Sequence, residues 1–198
     1  MYTFKLEQAI QAAAVLHQDD VRKGAVPIPY ITHLVAVMMI VRDYTSDEDT
    51  LVAALLHDTL EDTDYTVEEM TVDFGENVTK IVQTLSEPEH DGPASSNWMD
   101  SKMRYAKQIK NGPEAAVIIA AADKAHNFRS TVEGYHDDHN RFLQDFGKRL
   151  EDRLDAYQAI ANSINSRLKD GIVHEFNHTF EAYKQFILDV KTSKEGES

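Results

Sequence analysis

Four side chains close together in the chain, His57, Asp58, Glu61 and Asp62, carry the chemistry most easily read from this sequence. They follow the apolar run Leu51-Val52-Ala53-Ala54-Leu55-Leu56. On a helix, positions i, i+1, i+4 and i+5 fall on one side, so all four groups can converge on one spot. Neutral imidazole and carboxylate are ligands that divalent first-row metals accept, and a spare carboxylate can handle a water activated by such an ion. The same residues also fit a helix C-terminus whose charges simply meet solvent.

Two further residues favour the metal reading. His33 stands at the start of another apolar stretch, after Pro29-Tyr30-Ile31-Thr32. Asp123 closes Ala115-Ala116-Val117-Ile118-Ile119-Ala120-Ala121-Ala122, a run with no polar side chain before the acid. A carboxylate in such surroundings is costly unless it is paired or bound to a metal. Two His and two Asp from three separate helices make an incomplete octahedron that leaves positions for water and substrate.

The order His33, His57-Asp58, Asp123 resembles the HD superfamily of metal-dependent phosphohydrolases. Local matches narrow the likeness to the hydrolase domain of the RelA/SpoT family and its stand-alone small relatives. These are Arg22-Lys23-Gly24 ahead of Pro29-Tyr30-Ile31, then Ala53-Ala54-Leu55-Leu56-His57-Asp58-Thr59-Leu60-Glu61-Asp62-Thr63, then Phe74-Gly75, and Ala122-Asp123-Lys124-Ala125-His126-Asn127-Phe128-Arg129. The likeness spans roughly residues 5 to 160. It implies an all-α HD-domain helical bundle in which His33, His57, Asp58 and Asp123 hold one divalent ion, most simply Mn²⁺. It implies that Glu61 and Asp62 are the catalytic pair acting on water.

The resemblance further implies an enzyme that removes pyrophosphate from the 3′ position of ppGpp. Arg22, Lys23, Lys102, Tyr105 and Asn127 match positions that meet the nucleotide. Alternative roles stay open for several of them. An Arg-Lys pair in a loop is often just solvated, and the loop from Arg22 to His33 is longer than the family pattern. Trp98 and Tyr105 at helical spacing also suit a core, and Asn127 an amide closing a helix. Arg129 suits either phosphate or a helix C-terminus. His17 and His126 read as structural, and His136, His139, His174 and His178 as surface. Other substrates fit the same chemistry, among them the 2′-phosphate of NADPH and nucleoside monophosphates, as does a non-catalytic nucleotide-binding regulatory module. The intact Glu61-Asp62 pair speaks against the module. Nothing after residue 165 resembles a synthetase domain.

The elements that must position these groups read as helices throughout. Spacing predicts helices over residues 4–17, 31–41, one from 47 carrying the His57–Asp62 quartet at its end, 76–85, 98–110, 114–129, 139–165 and 172–191. Thr66-Val67-Glu68-Glu69 is a candidate capping box. Pro27 and Pro29 break the chain, and the polar stretch 87–97 is expected to be a mobile loop near the site. One domain, 1–191, followed by a disordered tail over 192–198, is the expected organisation.

A chain of 198 residues that is 42% hydrophobic is large enough for a sizeable core. It lacks Cys, which removes thiolate metal sites and suits the cytoplasm. The first residues lack the basic and apolar segments of a secretory signal, and no run is long enough to span a membrane. A net charge of −14 argues against nucleic acid and anionic membrane as partners. The partner expected is a small nucleotide, with a homodimer left open. Because that nucleotide is itself anionic, capture must rest on the metal and a local basic cluster.

Overall fold

The centre of the molecule is a helix with no solvent-facing side. In the computed structural model, which describes residues 2–87, 98–147 and 150–196, α3 (Glu48–Leu55) buries every residue from Thr50 to Leu55. A helix apolar all round can be stable only inside a bundle. It is surrounded by α1 (Phe4–Leu16), α2 (Ile31–Arg42), α6 (Glu76–Leu85) and α8 (Glu114–Tyr135). Asp47 caps α3, its side chain accepting the Thr50 N–H at 2.9 Å. The alanines of α8 are almost all buried, and such small side chains let neighbouring helices approach closely.

The other elements complete an all-α domain. They are α4 (Thr59–Asp62), α5 (Val67–Phe74), α7 (Trp98–Asn111), α9 (His139–Phe146), α10 (Leu150–Arg167) and α11 (Ile172–Gly196). The capping box read from Thr66 and Glu69 is present at the start of α5. Gly75, at φ 89° and ψ 162°, turns the chain from α5 into α6 in a conformation essentially reserved for glycine. Against one another, α11 packs on α8 and α10 on α7. Among the described residues there is no strand, only an isolated bridge between Val21 and Pro29. None of the described helices is long and apolar enough to cross a membrane.

Four expectations change. The helix from residue 47 stops at Leu55, and Glu61 and Asp62 ride separately on α4. The helix expected over 114–129 continues to Tyr135, whose ring packs edge-on to Phe142 and Phe146. The helix expected over 139–165 is two: α9 ends at Phe146, whose carbonyl accepts the Arg153 Nε–H at 3.2 Å. The backbone of 192–196, expected to be disordered, extends α11, with Thr192 and Ser193 hydroxyls bonded to carbonyls four residues back. Residues 88–97, the core of the expected mobile loop, and residues 197–198 lie outside the described residues.

Candidate active site

The site begins where α3 ends. Leu56 (φ −105°, ψ 8°) and Asp58 (φ −96°, ψ −5°) both sit in the sparsely populated bridge region, a frequent setting for active-site residues. The helical ladder stops at Leu56, and the Ala54 carbonyl takes Nδ1–H of His57 at 2.8 Å instead. That bond places the ring proton on Nδ1 and leaves a lone pair on Nε2. A continuous helix would have set the quartet on one face; the break aims His57 and Asp58 inward and gives the acidic pair its own short helix.

Donor atoms of His33, His57 and Asp58 lie within 4.8 Å of one another, and Asp123 stands beside both histidines. His33 Nε2 lies 3.2 Å from Asp123 Oδ1 and 3.7 Å from Asp58 Oδ2. His57 Nε2 lies 3.2 Å from Asp58 Oδ2 and 3.7 Å from Asp123 Oδ1. His33, His57 and Asp123 are only 1%, 3% and 6% exposed, and neither Nε2 has a hydrogen-bond partner. Buried polar atoms without partners are costly, and here they face two carboxylates. Ligands bound cis at about 2.1 Å in an octahedron stand about 3 Å apart, close to this spacing. The donor set and the orphaned nitrogens fit a divalent cation.

Electrostatics point the same way. Burial lowers the pKa of His33. Burial acts the same way on His57, but Asp58 and Asp123 outweigh it and hold that ring well above 6.5. Burial would raise both carboxyls, yet His57 keeps Asp58 below its usual range and Lys124 keeps Asp123 below it. The two carboxylates thus demand positive charge between them, and a cation supplies it in place of a proton.

A second layer fixes this cluster. Tyr30 donates its hydroxyl to Asp58 Oδ2 at 2.6 Å. Lys124 Nζ donates to Asp123 Oδ2 at 2.7 Å while lying over the ring of buried Tyr105. The Asn127 amide donates to Asp123 Oδ1, and Arg22 donates to Asn127 Oδ1 at 2.8 Å. His126 Nδ1 is 2.9 Å from His33 Nδ1. Burial, with His33 and Arg22 adding, pushes the His126 pKa down to about 4. Sequence reading overlooked Tyr30 and Lys124 and assigned His126 away from the site. Their signal was spacing alone: Tyr30 lies three residues before His33, and His126 three after Asp123, one helical turn away.

The remaining candidates divide. Glu61 Oε2 accepts the Glu87 N–H at 3.0 Å. Burial raises its pKa against that bond, with Glu87, Asp58 and Asp62 adding. Burial and Asp58 also raise Asp62. Lys102 donates to Glu87, which puts it one link from Glu61. Asn127 joins the cluster directly, and Arg22 joins it through Asn127. Lys23 does not: it is exposed, its ammonium 4.9 Å from the centre of the Phe146 ring. Arg129 pairs with Glu175 at 2.6 Å. His17 is buried, stacks on Tyr30 and meets Asp20 at 2.8 Å. His136, His174 and His178 are exposed, and His139 bonds Ser193.

The family model described as HD domain matches residues 9–147, well over half of the chain. This chain belongs to the HD domain family. A mouse guanosine-3′,5′-bis(diphosphate) 3′-pyrophosphohydrolase is 32% identical over 127 residues, covering 63% of this chain and 68% of the mouse protein. A GTP pyrophosphokinase of Streptomyces coelicolor is 33% identical over 126 residues, 64% of this chain. The first curated relatives are much longer proteins, of which this HD domain chain spans 14%, 16% and 24%. A solved metazoan SpoT orthologue, described as hydrolysing ppGpp and acting in starvation responses, superposes with a TM-score of 0.73 at 23% identity. The match covers 91% of this chain and 96% of that one, and shows a shared HD domain fold.

Proposed function

We propose that this protein is a metal-dependent hydrolase that removes pyrophosphate from the 3′ position of ppGpp. The observation that carries the reading is the meeting of His33 Nε2, His57 Nε2, Asp58 Oδ2 and Asp123 Oδ1 beside two acids of raised pKa. The mouse relative, of which this chain covers more than two thirds, is named for that activity. The four donors would hold one divalent ion, Mn²⁺ in this reading. Such an ion supplies Lewis acidity, polarising a phosphoryl oxygen and acidifying water toward neutral pH.

The chain's own residues do the rest. Glu61 and Asp62, raised by burial toward working pH, accept the proton of the attacking water. The water oxygen bonds to phosphorus, the bond from phosphorus to the 3′ oxygen breaks, and the acid that took the water's proton passes it to the ribose oxygen, which leaves as a hydroxyl. Arg22 and Asn127, already linked to Asp123, hold the nucleoside against the acids. Lys102, linked through Glu87 to Glu61, serves the phosphates. A cytoplasmic location suits a hydrolase acting on this nucleotide.

The test is to incubate purified protein and Mn²⁺ with ppGpp, NADPH and nucleoside monophosphates in parallel. Release of pyrophosphate and a guanosine diphosphate with a free 3′ hydroxyl is expected from ppGpp. Phosphate release from the other substrates, with ppGpp intact, would refute the assignment.

A further inference from the structure

One stretch of α8 brings four polar groups to the site: Asp123, Lys124, His126 and Asn127. The first offers an oxygen to the cluster and the last holds Arg22, while His126 has no part in the chemistry above. Its Nδ1 lies 2.9 Å from Nδ1 of His33, with ring centroids 4.9 Å apart. Ser130 Oγ makes a longer contact of 3.5 Å to the same nitrogen.

The two histidines facing Asp58 and Asp123 solve the same problem differently. For either Nε2 to offer a lone pair, the proton must sit on Nδ1 and find an acceptor. His57 uses the Ala54 carbonyl, released by the break after α3. His33 lies in the first turn of α2, and its Nδ1 faces across to α8 rather than back along its own helix. The atom in reach is a side-chain nitrogen. A backbone carbonyl is fixed by the fold, whereas a side chain can be changed without altering the backbone.

We propose that His126 is a positioning residue, accepting Nδ1–H of His33 and so fixing both the tautomer and the ring orientation of that residue. It thereby ties His33 on α2 to Asp123 on α8, two donors that share no element. The proposal rests on the metal reading above.

Two substitutions separate positioning from packing. His126→Gln keeps an acceptor oxygen on a side chain of similar reach. His126→Phe keeps the ring volume and has no acceptor. Zn²⁺ affinity is measured by chelator competition, with thermal melts checking the fold. His126→Phe should lose about 10–100-fold in affinity, the range for losing a partner behind a ligand, and His126→Gln should stay close to wild type. Equal loss in both, loss in neither, or a weaker Gln than Phe variant would overturn the proposal. Imidazole ¹⁵N shifts of zinc-loaded wild type need no variant: His33 protonated at Nδ1 is expected, and Nδ1 bound to zinc would overturn it. A wild type that takes up no ion sinks the metal reading with it; a wild type that binds while the variants rank wrongly sinks this proposal alone.

Discussion

Deleting the charge of Lys124 tests how the site is held together when no ion is bound. Lys124→Met keeps the apolar stem and removes the ammonium that stands 2.7 Å from Asp123 Oδ2. The side chains are 16% and 8% exposed, so water replaces the lost partner only in part. Breaking a buried pair from one side costs about 3–5 kcal/mol. The Asn127 amide remains on the other oxygen of Asp123, which puts the cost at the lower end, about 3 kcal/mol. At about 2–4 °C per kcal/mol for a domain of this size, the melting temperature should fall by about 6–12 °C.

The pH dependence of that loss has a definite sign. The Asp123 carboxyl is depressed in the fold, so its contribution is complete above the unfolded value near 3.9 and disappears as pH falls through the folded one. The Lys124 ammonium is raised, so its contribution is complete below about 10.4 and disappears as pH rises through the folded value. The deficit of Lys124→Met should therefore be flat from about pH 5 to 9 and shrink in acid. Urea unfolding of metal-free wild type and variant at pH 7 and at about pH 3 or below, under the unfolded carboxyl value, measures it. A deficit under about 1 kcal/mol at pH 7 would mean the pair behaves as a solvated surface pair, and the reasoning fails.

Three other outcomes follow from the site. His57→Ala should lose both the ion and the activity, and equal metal content by elemental analysis in mutant and wild type would remove His57 from the ligand set. Glu61→Gln combined with Asp62→Asn should keep the metal and still bind nucleotide while turnover falls at least about 100-fold. In wild type the rate should climb with pH through a region above the ordinary carboxylate range, because the pair acts deprotonated and both pKa values are raised; the double mutant should flatten that limb. Moderate NaCl at fixed free Mn²⁺ should leave kcat/KM for ppGpp unchanged or higher. Salt screens the repulsion from a net charge of −14 over about 8–10 Å. A steep fall would reveal an electropositive funnel instead.

What was legible in the sequence depended on how much of each feature is local. The six apolar residues before His57 announce a buried helix because they are apolar all round, and the structure buries every one. The same uniformity hid the break at Leu56–Asp58. No glycine or proline marks it, and its compensation is the His57 ring on the Ala54 carbonyl, a bond that exists only once the imidazole turns inward. Asp123 was legible because an acid after eight apolar residues needs a partner. Tyr30, Lys124 and His126 were not, since their residue types serve many bland purposes and only their distances to Asp58, Asp123 and His33 give them a role.

Arg22 and Lys23 show why adjacency in sequence misleads about a site. Both were expected to meet the nucleotide as a pair. The loop that carries them is folded on itself: Val21 bridges Pro29, the Arg22 N–H reaches the Ile28 carbonyl at 2.8 Å, and the Tyr30 N–H reaches that of Asp20 at 2.9 Å. Arg22 turns inward to Asn127 and lies over the Tyr30 ring, while Lys23 turns out over Phe146. Tyr30, fixed by the same pairing, is thus braced by Arg22 on one side and bonded to Asp58 on the other. A loop that reads as a charged, solvated connection is the element that joins the basic contact to the carboxylate at the centre of the site.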